Sequence, residues 1–122
     1  MKITLYWNPY STNNIYYRSW KHWFIKAGPK KLKNDYILLA KSQYSGKILM
    51  DLIKIECNIY FWDKRKRDID NYNKLWMDAL SWIVYEDDKQ IQELHLYKHY
   101  DKENPRIEIT VKSIKDLESK IK

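Results

Sequence analysis

The sequence predicts an α/β fold of the α+β kind, built as one small domain over residues 1–122, and three observations predict it. Ile53, Ile55, Cys57, Ile59 and Phe61 occupy every second position with Lys54, Glu56, Asn58 and Tyr60 between them, the pattern of a strand with one buried face. Tyr72, Leu75, Trp76, Ala79 and Ile83 recur at helical spacing. Two more strand-like runs follow, Ile91 to Tyr97 and Ile107 to Val111. A chain of 122 residues buries roughly two thirds of the surface its unfolded form exposes, enough for one modest core and no second domain.

The remaining elements follow in order. Ile3, Leu5 and Trp7 alternate with more polar neighbours, which predicts an opening strand ended near Pro9. Ser11 to Phe24 has no clean period of either kind and reads as a surface segment with a function of its own. Pro29 is a good first helical residue, and Leu32, Tyr36, Leu39 and Ala40 give one side of a helix running to about Tyr44, ended by Gly46. After the central strand, Asp70 or Asn71 can cap the next helix, which would place Asp70, Lys74 and Asp78 along one face. Glu86-Asp87-Asp88 reads as a turn, and Asp101 to Pro105 as the hairpin turn between the last two strands. Ser113, with Asp116 three positions on, resembles a capping box opening a short final helix with Ile114, Leu117 and Ile121 inward.

The formal net charge of +7 and pI near 9.3 favour a polyanionic partner, although excess lysine also serves plain solubility. The single cysteine, Cys57, forms no internal disulfide and sits within an apolar alternation, which argues for a reducing compartment and against a catalytic thiol. The first residues turn polar too soon for a signal peptide, and no apolar run approaches the ~20 residues that cross a bilayer. The expectation is a soluble, cytoplasmic protein with no membrane partner.

The most informative stretch is Lys64-Arg65-Lys66-Arg67-Asp68-Ile69-Asp70-Asn71-Tyr72-Asn73-Lys74. A basic block attracts phosphate, whereas two carboxylates one residue apart attract a divalent cation. Hydrolysis of a phosphodiester with Mg2+ needs two or more carboxylates close together, because a hard cation takes oxygen ligands. Asp68 and Asp70 supply two, and Asp87 or Asp88 can arrive from the later turn. Against this stands a simpler reading, a capped helix on a solvated loop. Lys74 can stabilise growing negative charge on a phosphoryl group, or simply pair with Asp70 or Asp78 on its helix. A calcium-binding EF-hand is excluded, since its third ligand position falls on Tyr72, its glycine on Asn73 and its closing glutamate on Ala79. Tyr16, Tyr17, Trp20 and Trp23, interleaved with Arg18, Lys21 and His22, suit stacking on unpaired bases as well as core packing. His95 and His99 share a strand face but lack the partners of a zinc site.

Taken together, the chain resembles the RusA-type Holliday junction resolvases, small dimeric Mg2+-dependent endonucleases of bacteria and phages. The likeness covers nearly the whole chain: Asn13-Asn14-Ile15-Tyr16-Tyr17-Arg18, then Arg67-Asp68-Ile69-Asp70-Asn71 followed by Lys74, then Asp78-Ala79-Leu80, then Glu86-Asp87-Asp88-Lys89-Gln90-Ile91. The segment between helix and aspartate pair departs from the family pattern, being one residue shorter and lacking the glycine often found there.

The resemblance implies a mixed β-sheet packed with helices and an intertwined homodimer. It implies Asp68, Asp70 and Asp88 as essential carboxylates holding magnesium, with manganese as a substitute, Asp87 in support, and Lys74 as the essential lysine. The implied reaction is structure-selective cleavage of branched DNA, resolving Holliday junctions by paired nicks. The cations Lys64, Arg65, Lys66 and Arg67, with Arg18 and Lys21, are expected from their charge to position the DNA backbone. A four-way junction has approximate two-fold symmetry and needs two matched nicks, which is a separate reason for two copies of one site. The alternative is a branched- or single-stranded-DNA-binding protein of the same fold without turnover.

Overall fold

The structure, a computed structural model, describes residues 1–6, 16–19, 22–25, 27–66 and 69–115, with the backbone alone at 16–19, 22–25, 27, 70 and 71. Six strands and two helices appear in the order β1 (Lys2–Leu5), β2 (Tyr16–Ser19), β3 (His22–Ile25), α1 (Ala27–Gln43), β4 (Ile53–Phe61), α2 (Lys74–Leu80), β5 (Ile91–Tyr100) and β6 (Arg106–Ser113). A four-stranded mixed sheet has the order β1-β6-β4-β5, and β2 and β3 form a separate antiparallel pair. This is the α+β class expected. Trp7, expected in the first strand, and residues 116–122, expected in the final helix, lie outside the described residues.

The strongest sequence pattern takes the central position. β4 pairs with β6 antiparallel and with β5 parallel, and its residues Ile53, Ile55, Cys57, Ile59 and Phe61 are all buried. They meet Ile107, Ile109 and Val111 of β6, Ile3 and Leu5 of β1, Leu32, Tyr36 and Ala40 of α1, and Leu75, Trp76, Ala79 and Leu80 of α2 in one core. Burial pushes the Cys57 thiol far above its ordinary range, so it is a packing residue without nucleophilic character. The parallel β4–β5 pairing requires a crossover rather than a hairpin. Residues 62–90, which include α2, supply it.

Four expectations are corrected. Asp101 to Pro105 is not a hairpin turn, because β5 and β6 lie on opposite sides of β4 and do not pair with each other. The link instead steps past the end of β4, where Asp101 N–H donates to the Phe61 carbonyl at 2.8 Å. The most apolar strand has claimed the slot between two chain neighbours. Second, the helix does not start at Asp70 or Asn71: Ile69–Tyr72 form a 3-10 turn and α2 begins at Lys74, with Asn73 as its boundary. Asn73 is buried, its side chain donating to the Ile69 carbonyl at 3.3 Å and accepting from Trp76 Nε1 at 3.0 Å, and this inward turn interrupts the helical course. Third, Ile83 lies beyond the helix, since Ser81 is extended and ends it. Fourth, Ser11 to Phe24 is not wholly irregular, because Tyr16–Ser19 pairs with His22–Ile25 around a two-residue link that carries no glycine or asparagine to announce it.

Both edges of the sheet differ in protection. Gln43 at the end of α1 brackets Thr4 of β1, accepting from its N–H and donating to its carbonyl, each at 2.8 Å, so a side-chain amide stands where a neighbouring strand would be. β5 is the opposite edge, with Leu94, Tyr97 and Tyr100 exposed.

The sheet face away from the core carries an ionic network. Arg106 bonds Asp101 at 2.8 Å and Glu108 at 2.7 Å and lies 3.8 Å from the centre of the Tyr60 ring, while Lys2 bonds Glu108 at 2.6 Å. The Arg106 hydrogen bond first, with backbone N–H groups, holds Asp101 below the usual carboxylate range, and the Lys2 hydrogen bond first does so for Glu108. A carboxyl depressed in the folded state stabilises above its unfolded pKa, about 4, and that contribution is lost as pH falls through the lower folded value. We therefore expect the melting temperatures of wild type and Arg106→Ala to differ most at pH 7 and to converge towards about pH 2. An unchanged gap across that range, followed by circular dichroism, would assign the effect to packing on Tyr60 alone.

Candidate active site

Lys74, the first residue of α2, reaches both carboxylate oxygens of Asp78 one turn later, at 3.2 Å each. Behind them Tyr85 is buried, and its hydroxyl donates to the Met77 carbonyl at 2.7 Å, tying the segment after the helix to the helix itself. Burial first, then the charges of Asp88, Asp78 and Asp87, pushes the Tyr85 hydroxyl far above its ordinary range. The tyrosine is therefore a neutral back wall to three carboxylates.

Asp87 and Asp88 follow directly and have different tasks. Asp87 is extended and caps the 3-10 turn Asp88–Gln90, accepting from Lys89 N–H at 2.9 Å, while Gln90 Oε1 accepts from Asp87 N–H at 2.8 Å. The Gln90 amide also donates to the carbonyls of Leu49 and Asp51, at 2.7 and 2.9 Å, which pins the turn to the chain entering β4. Asp87 is held below the usual carboxylate range by the Lys89 N–H first and then by a hydrogen bond from Asp88. Asp88 is raised, first by that same hydrogen bond and then by burial and the Asp87 and Asp78 charges, with Lys74 opposing. The two neighbouring carboxyls are thus pushed apart, Asp87 down and Asp88 up.

The structure therefore brings together Lys74, Asp78, Asp87 and Asp88 from three pieces of the sequence pattern. Asp70 belongs to the 3-10 turn immediately before α2, four residues ahead of Lys74, with its backbone alone described. Arg67, Asp68 and Lys21 lie outside the described residues, and Arg18 is described only as backbone in β2. Among the described residues no three carboxylate, histidine or cysteine side chains converge as a metal-binding group. The donor chemistry nevertheless suits a hard divalent cation: the local groups are oxygen donors, and Asp88 carries a charge that its carboxylate neighbours make costly.

Lys64, Arg65 and Lys66 are exposed. Lys64 Nζ lies 5.2 Å from the centre of the Tyr100 ring, at the far end of β5, whereas Asp87 and Asp88 precede its first residue. Ten residues of strand separate the two by about 30 Å. His99 stacks on Tyr60 and bonds Asn58, and His95 lies 3.6 Å from Glu93, so neither histidine contributes here.

Sequence reasoning missed Tyr85 and Asn73 as organisers of the cluster. Only Gln90 had a legible signal, an acid followed three residues later by glutamine, which is the spacing of a capping box.

The sequence profile of the family described as Endodeoxyribonuclease RusA matches residues 7–112. The chain belongs to the RusA family. Within that family it is 30% identical over 114 residues to the crossover junction endodeoxyribonuclease of Enterobacteria phage 82, covering 89% of this chain and 91% of that protein. Against the RusA crossover junction endodeoxyribonuclease of Escherichia coli (strain K12) it is 29% identical over the same shares of both chains. It is also 41% identical over 49 residues to the uncharacterized protein YqaN of Bacillus subtilis (strain 168), covering 40% of this chain and 34% of that one. No helix among the described residues is long and apolar enough to cross a membrane.

Proposed function

We propose that the protein is a homodimeric, Mg2+-dependent, structure-selective endodeoxyribonuclease that resolves Holliday junctions or related branched DNA by paired symmetric nicks. The observation that carries this reading is the cluster of Lys74, Asp78, Asp87 and Asp88 around a buried Tyr85, in a chain of the RusA family. Asp68, Asp70 and Asp88, with Asp87 in support, would hold the magnesium, for which manganese would substitute. Such an ion, when bound, supplies Lewis-acid neutralisation of a phosphate and a water of lowered pKa.

The chain's own groups supply the rest. Asp88 presents a carboxylate beside Asp87, and Lys74, held at its place by Asp78, steadies negative charge as it grows on the phosphoryl oxygens. Lys64, Arg65, Lys66 and Arg67, with Arg18 and Lys21, position the DNA backbone without reading sequence. The exposed β5 edge, carrying Leu94, Tyr97 and Tyr100, offers a surface for the second copy.

Purified protein incubated with a synthetic mobile four-way junction and Mg2+ should release duplexes nicked symmetrically, with ends that a ligase reseals. EDTA should stop the reaction, and Asp70→Asn should leave no nicking. Asymmetric or absent cleavage by the wild type, or equal cleavage by Asp70→Asn, would sink the proposal. Tight junction binding without cleavage in either Mg2+ or Mn2+ would mark a binding protein instead.

A further inference from the structure

Trp82 is the only non-glycine residue with positive φ among the described residues, at 66°, and its side chain is 65% exposed. A left-handed backbone strains a bulky residue, which glycine would relieve, and an exposed indole gains nothing from the core. Neither the local backbone nor packing explains a tryptophan there. Its position does: it lies in the link between α2, which carries Lys74 and Asp78, and the segment carrying Tyr85, Asp87 and Asp88. Trp82 N–H donates to the Tyr85 carbonyl at 2.6 Å, a bridge joins Ser81 to Tyr85, and the N–H groups of Ile83 and Val84 donate to the Leu80 carbonyl at 3.1 and 3.0 Å. The link is thus a firmly bonded mount at the edge of the acidic and lysine cluster.

From this geometry we infer that Trp82 stacks on a nucleobase exposed at the branch point, and so selects branched over continuous duplex DNA. The inference rests on the nuclease reading above and adds a specificity residue to it. A flat aromatic face accepts any base, and a base with an open face occurs at a branch and not within a continuous stack. A protein partner covering the same ring would have to strip water from the nearby charges of Lys74, Asp78, Asp87 and Asp88, a cost that a single base stacked on the ring avoids.

The test compares wild type, Trp82→Gly and Trp82→Phe for binding, in EDTA, to a labelled four-way junction and to a linear duplex of the same sequence, by fluorescence anisotropy. Trp82→Gly should bind the junction about tenfold more weakly and the duplex within twofold of wild type, at an equal or higher melting temperature. Trp82→Phe, which keeps a stacking face, should retain most of the preference. Equal losses on both DNAs, no loss on either, or a change of oligomeric state in Trp82→Gly by size-exclusion chromatography would overturn the inference, the last by assigning the ring to a second copy of the chain. If the wild type nicks junctions and Trp82→Gly nicks and discriminates equally well, this inference fails while the nuclease reading stands. A wild type that neither binds nor nicks junctions removes both.

Discussion

Asp88→Asn should lower junction cleavage by about a thousandfold while leaving junction binding nearly intact, and Asp87→Asn should lower it by no more than about tenfold. The contrast follows from what the two side chains already do. Asp87 is committed to its capping box, and asparagine caps a turn as well as aspartate does. Asp88 lies within reach of the Lys74 and Asp78 charges, and its carboxyl is the raised one of the pair. A raised carboxyl binds its proton more tightly in the folded state than in the unfolded chain, so the ionised form it has above its folded pKa works against folding. Asp88→Asn should therefore melt at the same temperature as wild type or higher. A variant that is less active and no less stable would place the residue in the chemistry; equal losses of cleavage in both variants would assign the pair a joint role.

Trp76→Ala should produce the largest loss of stability in the molecule. Trp76 is fully buried in α2, and truncating a buried tryptophan costs about 3–5 kcal/mol, a large share of the 5–15 kcal/mol that typically holds a small domain together. Trp76→Phe separates the two components of that loss. It preserves much of the ring volume but removes the Nε1 donor to Asn73, which costs about 1–3 kcal/mol at a buried site and lowers the melting temperature by roughly 4–12 °C. Thermal and urea unfolding of the two variants gives both values. A Trp76→Phe variant as stable as wild type would show that the indole donor is not needed to hold Asn73 in place.

Much of the fold was legible because burial imposes a period. The alternation from Ile53 to Phe61 located the central strand to the residue, and Leu32, Tyr36 and Ala40 located α1. Connectivity was less legible. Two successive strands with a polar link read as a hairpin, and nothing local reveals that β4 lies between them, since strand order is decided by which apolar faces compete for the centre. The start of α2 was misplaced because an asparagine can cap from outside a helix or turn inward to a buried indole, and Asn73 does the second. In the candidate site, acids and a lysine could be picked out by charge and spacing. Tyr85 could not, because a tyrosine closing an apolar run looks like core until its hydroxyl is found bonded to Met77 beside three carboxylates.

The length of β5 sets a minimum footprint. With Lys64 at one end of the strand and Asp88 before the other, about 30 Å must be spanned by any DNA arm that touches both. At 3.4 Å per base pair that is about nine base pairs, close to one helical turn, so an arm contacting both ends presents the same groove to each. On the proposed reading, shorter arms would engage the acids or the basic block, but not the two together.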